Sequence, residues 1–220
     1  MTTPNVPARG RYGADDESFM EWATLHKQKL TWAVIALAVI VGGFWFFKRS
    51  QSLKAQRAES AYFQARQSAA AGNLPLAISD LQKVVTRYEG TPGGTQAALT
   101  LAQAYYGQKK FKEGLAVLKK AEDKAPDDFR AAVHVLEAAG HEELKEHVQA
   151  AEQYAEAARV TRFPADKADY RAAAARSYVA AGKTAEAKAI WTDLVKDEAS
   201  PVAPEARIRL GELEAKPVKI

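Results

Sequence analysis

Histidine is the residue type best able to bind a metal in this chain, because cysteine is absent. The four histidines are His26, His134, His141 and His147. A helical metal site typically places two histidines four residues apart on one face, and no pair here has that spacing. Gly140 is expected to end the helix that carries His134, which would separate it from His141. We therefore predict solvated histidines, no metal site and no cofactor.

Acidic residues occur in adjacent pairs, and paired carboxylates can serve as general acid and general base. The pairs are Asp15-Asp16, Asp127-Asp128 and Glu142-Glu143. We expect each at a helix start, where carboxylates cap backbone amides and complement the helix dipole. Gly93-Gly94-Thr95 is too short for a phosphate-binding loop, and no G-x-S-x-G motif is present. We predict that the chain is not an enzyme and takes no small-molecule substrate.

An uncharged stretch of eighteen residues, LTWAVIALAVIVGGFWFF, runs from Leu30 to Phe47. As a helix it would be about 27 Å long, close to the hydrocarbon thickness of a bilayer. Aromatic residues lie near both ends, and four cations flank them: Lys27, Lys29, Lys48 and Arg49. This pattern predicts a transmembrane helix at residues 30–47 in a lipid bilayer. It divides the chain into a tail, residues 1–29, and a domain, residues 48–220.

The 29 residues before the span do not have the pattern of a cleaved signal peptide, because they carry four acids and no Ala-x-Ala-like site follows the span. We predict an uncleaved signal anchor. Residues 1–14 contain two prolines and two glycines and are predicted to be disordered. Ser18 and Glu21 fit a capping box. They would begin either a short interfacial helix or a helical extension of the span.

The region after the span is alanine-rich and repeats at intervals of 36 or 37 residues. A small residue, then a large one four positions later, then an apolar one three further on, would share one helical face. The small residues are Ala77, Gly114, Ala150 and Ala187; the large ones are Leu81, Leu118, Tyr154 and Trp191; the apolar ones are Val84, Ala121, Ala157 and Leu194. Prolines recur where paired helices are expected to end, at Pro92, Pro126, Pro164 and Pro201.

These units resemble the tetratricopeptide repeat, a helix-turn-helix unit of 34 residues. The best copy is Thr95 to Asp128, with Tyr105 and Phe111 at aromatic positions of the repeat. The third copy is irregular, and we expect its first helix to end at Gly140 and residues 141–146 to lengthen its second. The resemblance implies an all-α fold: the transmembrane helix, then an α-solenoid of about four helix pairs and a C-terminal capping helix.

In that repeat family, partners bind the concave face, which is lined by the first helix of each pair. By analogy the partner-binding residues here are Tyr62, Arg66, Leu99, Gln103, Tyr106, Arg176 and Val179. Exposed tyrosine, arginine and glutamine suit a protein surface. The alternative is that these residues pack the inside of the solenoid. The 27 cations and 23 acids after the span are mixed along the chain, and we predict no nucleic acid partner.

The whole architecture resembles the small bacterial inner-membrane proteins of the YfgM type. The similarity lies in the acidic segment Asp15 to Glu21, the aromatic-ended span, and the alanine-rich helix around Ala58 and Ala65. It implies an ancillary partner of the Sec translocon, working with a membrane-anchored prolyl isomerase-type chaperone on exported proteins. Two other functions stay open: a scaffold for envelope or cell-division assembly, and a membrane-held stress-response regulator.

Membrane sidedness is the point on which charge and resemblance disagree. Within twenty residues of the span the tail has three cations and the domain side has five, which favours a cytoplasmic domain under the positive-inside rule. The resemblance implies the opposite. We give the resemblance more weight than a margin of two charges and predict a bacterial inner-membrane protein with a cytoplasmic N-terminal tail and a periplasmic C-terminal domain.

Overall fold

The computed structural model describes Trp22 and residues 24–215. The expectations for residues 1–14, for Asp15-Asp16, and for the capping box of Ser18 and Glu21 lie outside the described residues. From Lys27 onward the described residues form nine helices and no strand. The helices are α1 Lys27–Ala70, α2 Leu74–Arg87, α3 Pro92–Gly107, α4 Phe111–Glu122, α5 Asp127–Glu143, α6 His147–Val160, α7 Pro164–Ala180, α8 Thr184–Leu194 and α9 Ala203–Glu214.

The chain divides into two compact units, Met1–Ser52 and Leu53–Ile220. In the first unit, α1 contains the uncharged segment, whose large side chains, including Trp32 and Phe44, are exposed. By length and composition α1 could cross a membrane, and it is the one helix among the described residues that passes this test. Exposed aromatic and aliphatic side chains at this density are costly in water and favourable in lipid. The segment is therefore a candidate membrane span.

In the second unit, each helix packs mainly on its neighbours in sequence. The pairs are α2 with the C-terminal part of α1, then α3 with α4, α5 with α6, and α7 with α8; α9 packs on α8. This arrangement is an α-solenoid and confirms the predicted all-α fold of about four pairs and a final helix. The pairs bury small side chains at their contacts, which brings neighbouring helices close together.

The predicted repeat face is the buried face of the second helices. Ala77, Ala150 and Ala187 are 0% exposed, and Gly114 is buried. At the large position Leu81, Leu118 and Trp191 are buried, whereas Tyr154 is only half-buried. Tyr154 thus occupies the same repeat position as Trp191 but is less buried. Its hydroxyl donates a hydrogen bond to Glu142 of α5, as described below.

The recurring prolines begin helix pairs. Pro92 and Pro164 are the first residues of α3 and α7, and Pro126 is the residue before α5. At these positions proline loses no helical hydrogen bond, because the first amides of a helix have no partner within it. Thr91 completes the start of α3, since its Oγ1 accepts a hydrogen bond from the Gly94 amide at 3.1 Å.

Gly140 does not end a helix, contrary to the sequence-based expectation. Helix α5 continues through it to Glu143, and the turn follows at residues 144–146, where Lys145 has a φ of 62°. The added residues therefore lengthen the first helix of the third pair, and His134 and His141 share one helix. The glycine is needed for space: a Cβ there would lie 2.2 Å from the hydroxyl oxygen of Tyr106.

The added turn of α5 supplies Glu142, which connects three helices. Its Oε2 accepts a hydrogen bond from the Tyr154 hydroxyl of α6 at 3.3 Å, and its Oε1 accepts one from Ser177 Oγ of α7 at 2.9 Å. Burial and the negative charge of Glu142 raise the pKa of Tyr154 from 10.0 to about 12. The third pair is thus joined to the fourth through a carboxylate that a repeat without this extra turn would lack.

This network predicts an alkaline pH dependence. Because the folded-state pKa of Tyr154 is raised, the stability that its protonated phenol contributes is complete below pH 10 and is lost as the pH rises through about 12. In Glu142→Gln the tyrosine pKa should fall but stay above 10.0, because burial, the larger cause, remains. The Tyr154 pKa can be measured by NMR titration of protein with isotope-labelled tyrosine. The Tyr154 signal is identified by its absence in Tyr154→Phe. Glu143→Gln is the control, and an unchanged pKa in Glu142→Gln would contradict the assignment.

Candidate functional site

The first predicted partner-binding residues, Tyr62 and Arg66, lie together on the C-terminal part of α1. Tyr62 is half-buried, and its hydroxyl is 3.0 Å from Thr100 Oγ1 of α3. The exposed guanidinium of Arg66 lies 5.8 Å from the centre of the Tyr62 ring, a cation–π distance. The pair leaves the exposed Arg66 available to a partner, with the half-buried Tyr62 ring beside it.

Three predicted residues lie on α3, and they occupy different environments. Gln103 is exposed, whereas Leu99 and Tyr106 are half-buried and pack against the core cluster of Ala102, Leu118, Ala125 and Val133. The Tyr106 hydroxyl donates to the carbonyl of Leu136 at 3.1 Å. Leu99 and Tyr106 therefore contribute to packing between the second and third pairs, and Gln103 is the α3 residue most available to a partner.

The last two predicted residues, Arg176 and Val179, lie on α7 and line one cleft. The cleft has a volume of ≈ 300 Å³ and is completed by Ala180, Trp191, Arg209, Glu212 and Leu213. Arg176 is held in place by an ion pair with Glu205 of α9, with nitrogen–oxygen distances of 2.8 and 3.0 Å. Val179 is 42% exposed, so an apolar surface lies beside an oriented guanidinium. This combination can bind a peptide segment.

The predicted residues thus form three local groups on the first helices of three pairs. Tyr62 is near Arg66, Leu99 and Tyr106 share a core cluster, and Arg176 is beside Val179. Of the seven, Arg66, Gln103, Arg176 and Val179 are exposed and the other three are half-buried. Their role in binding stays a prediction, since burial describes only which of them a partner could reach.

The prediction of solvated histidines is wrong for His134, which is 5% exposed and belongs to a second polar group. Glu122 of α4 and His134 and Glu137 of α5 converge, and Gln153 of α6 lies 2.7 Å from His134 Nδ1. Burial acts to lower the pKa of His134, but Glu137, Gln153 and Glu122 more than offset it, so the pKa is raised. Burial and the charge of Glu137 raise the pKa of Glu122. The i, i+3 spacing of His134 and Glu137 places both side chains on one face of a helix and could have predicted their contact. Histidine–histidine spacing alone does not reveal it.

The family described as tetratricopeptide repeat-like domain matches residues 21–216. A search of curated proteins finds no match.

Similar solved structures also contain these repeats. Nearly identical TPR-like repeats from Podosopora anserina superpose with a TM-score of 0.54 and 18% identity over 72% of this chain and 86% of theirs. A thermophilic TPR protein of Thermus thermophilus has a TM-score of 0.45 and 21% identity over 84% of this chain and 95% of its own. At 18% identity the Podosopora anserina repeats support the fold and nothing further.

Proposed function

Because the chain belongs to the tetratricopeptide repeat-like domain family, we propose that it is a non-catalytic protein-interaction module held at a membrane by α1. The observation that carries the proposal is the combination of an exposed apolar helix segment with stacked helix pairs whose first helices present exposed polar side chains. A solenoid of this kind offers an extended surface to a partner. The anchor would restrict that surface to partners at or near the bilayer.

The partners we propose are translocon subunits, a membrane-anchored prolyl isomerase-type chaperone and exported client proteins. The support is the resemblance to inner-membrane proteins of the YfgM type, which share the acidic tail, the single span and the repeat domain. On this reading the protein lies in a bacterial inner membrane, with its short N-terminal tail in the cytoplasm and the solenoid in the periplasm. A periplasmic solenoid would meet chains as they leave the translocon.

The proposed sidedness can be tested by single-cysteine labelling, because the natural chain contains no cysteine and gives no background. In intact spheroplasts, Lys119→Cys on exposed α4 should react with a membrane-impermeant maleimide, and Ser18→Cys in the tail should react only after lysis. The reason is that a polar solenoid and a polar tail must lie on opposite sides of a single span. Labelling of the tail and protection of α4 would reverse the topology and remove the translocon function.

Partner contact can be tested by site-specific photo-crosslinking in cells. A photoreactive residue at Gln103 or Val179, both exposed on first helices, should crosslink to translocon subunits or the chaperone. Lys119 and Gln149, exposed on second helices, are the matched controls and should give no such product. Crosslinked products from the control positions alone would show that partners bind the face formed by the second helices. Products that contain only division or stress-response proteins would support those functions in place of the Sec partnership.

A further inference from the structure

The residues Glu122, His134 and Glu137 form a buried polar cluster, called here the 122–137 cluster, between the second and third pairs. His134 Nδ1 lies 3.8 Å from Glu122 Oε1 and 3.6 Å from Glu137 Oε2. One ligand atom from each residue lies within 4.8 Å of the others. His134 and Glu137 are 5% and 3% exposed, whereas the Glu122 side chain is 33% exposed. The cluster is therefore closed on the α5 side and reachable past Glu122.

Glu137 has no sufficient partner for its charge among the described residues. Its Oε2 is buried and accepts no hydrogen bond there, since His134 at 3.6 Å is beyond hydrogen-bond distance. The Nδ1 of His134 is instead 2.7 Å from Gln153 Oε1. Two carboxylates face a single imidazole; Lys119 also acts on Glu122 and opposes the rise in its pKa, whereas Glu137 has only His134 as an ion-pair partner among the described residues. A buried carboxylate whose ion pair is long and whose Oε2 accepts no hydrogen bond is unfavourable, so the site is suited to an added cation.

We propose that the 122–137 cluster binds a divalent transition metal ion, with Zn²⁺ as the best fit. One imidazole nitrogen and two carboxylate oxygens are ligands that zinc takes at about 2.0–2.2 Å. Tetrahedral bonds of that length separate ligands by about 3.3–3.5 Å. The observed 3.6 and 3.8 Å separations from His134 therefore need to shorten by only a few tenths of an ångström, and the two carboxylate oxygens, within 4.8 Å of each other, would need to approach by at most about 1.3 Å. Carboxylate-only sites suit Mg²⁺ or Ca²⁺, whereas the imidazole favours zinc.

Binding requires Nδ1 of His134 to be unprotonated, so that its lone pair can coordinate the metal. The Nδ1 proton is released to solvent, or the neutral ring carries its proton on Nε2, and the hydrogen bond to Gln153 is exchanged for the metal. Gln153 can then turn its amide toward a water or take the remaining coordination position through Oε1. The ion would join α4 of the second pair to α5 of the third, so this site is a clamp between repeats and does not depend on the proposed partners.

The test is Zn²⁺ titration of the full chain, without an affinity tag, in detergent micelles after removal of bound metal with a chelator. Isothermal titration calorimetry should give one saturable Zn²⁺ per chain, and the melting temperature should rise with Zn²⁺ because the ion binds the folded state. Mg²⁺ at the same concentration should cause neither effect. If wild-type protein shows no saturable Zn²⁺ binding, the proposal is overturned.

Glu137→Gln separates metal binding from folding. It keeps the shape of the side chain and removes the unpaired charge, so the variant should melt no lower than wild type without metal. Its affinity for Zn²⁺ should fall by more than about tenfold, because changing a group that only supports a ligand already costs about 10- to 100-fold. His134→Gln should also lose the response. Zn²⁺ affinity equal to wild type in Glu137→Gln would overturn the assignment of ligands.

His141→Gln is the matched control, because His141 Nδ1 also contacts a carboxylate, Glu146 Oε2 at 2.7 Å. That pair has one carboxylate rather than two, and both of its side chains are more exposed than that of His134. The control should bind Zn²⁺ as tightly as wild type. Loss of binding in this control, with binding retained in His134→Gln, would place the ion at His141 and overturn the proposal.

Discussion

Trp191→Ala should destabilise the solenoid by about 3–5 kcal/mol, the range for truncating a large buried aromatic side chain. Trp191 is 0% exposed and packs with Ala172 and Ala175 of α7, Leu194 of α8, and Ala206 of α9. Its small neighbours have little volume with which to fill the space that the indole would leave. The change therefore loosens the fourth pair and α9 together. Thermal and urea unfolding of the full chain in detergent measure the loss.

Two further variants show that the loss comes from packing. The indole Nε1 has no hydrogen-bond partner among the described residues, so Trp191→Phe removes an unpaired buried donor while it keeps most of the ring contacts. It should cost clearly less than Trp191→Ala. Thr192→Ala changes an exposed neighbour on the same helix and should be close to neutral. A neutral Trp191→Ala would mean that α8 does not depend on this side chain.

The sequence predicts the buried face of the solenoid well, and the reason is local. A spacing of four and three residues within one helix fixes a common face whatever the neighbouring helices do. Leu81, Leu118 and Trp191 are buried for this reason. Tyr154 has the same spacing but a different environment, because the partner for its hydroxyl comes from the added turn of α5. No pattern within α6 contains that information.

The candidate sites were less predictable because they depend on contacts between pairs. His134 and Glu137 share a helix, but Glu122 reaches them from α4, and the distance follows from how two pairs stack. The three groups of predicted partner residues show the same limit. Repeat position identified Tyr106 as a surface candidate, whereas its ring is packed against Phe111 at 5.7 Å and its hydroxyl is bonded to α5. Whether Tyr106 is exposed or packed depends on the side chains that meet it from the neighbouring pair, and its repeat position does not specify them.

Gly140 shows how a single residue type can lead to the wrong boundary. Glycine within a helix disfavours it by about 1 kcal/mol relative to alanine, so a glycine near an expected turn predicts a helix end. Here α5 tolerates that cost because Tyr106 passes close to the glycine. Gly114 of α4 faces the same ring, and a Cβ there would lie 2.3 Å from Tyr106 Cε1. The tyrosine ring thus lies close to two glycines of different helices.

Gly140→Ala should therefore destabilise the solenoid by about 3 kcal/mol, the upper end of the range for overpacking a core, even though alanine favours the helix. The new Cβ would lie 2.2 Å from the Tyr106 hydroxyl oxygen and 2.9 Å from Leu115 Cδ2. The ring has little room to move because it also lies close to Gly114, where a Cβ would be 2.3 Å from Tyr106 Cε1. Gly211→Ala is the control: a Cβ there meets nothing within 4 Å, so the change should be neutral or mildly stabilising.

A double-mutant cycle with Tyr106→Ala identifies the cause of that loss. Tyr106→Ala alone should be costly, because it empties a packed site and removes the hydrogen bond to Leu136. In that background Gly140→Ala should cost about 1 kcal/mol or less, since the Tyr106 atoms are gone, Leu115 Cδ2 can shift into the space they leave, and alanine is the better helix former. Urea unfolding of the four proteins gives the coupling energy. Equal costs of Gly140→Ala with and without Tyr106 would show that the glycine serves the backbone of α5 and not the passage of the ring.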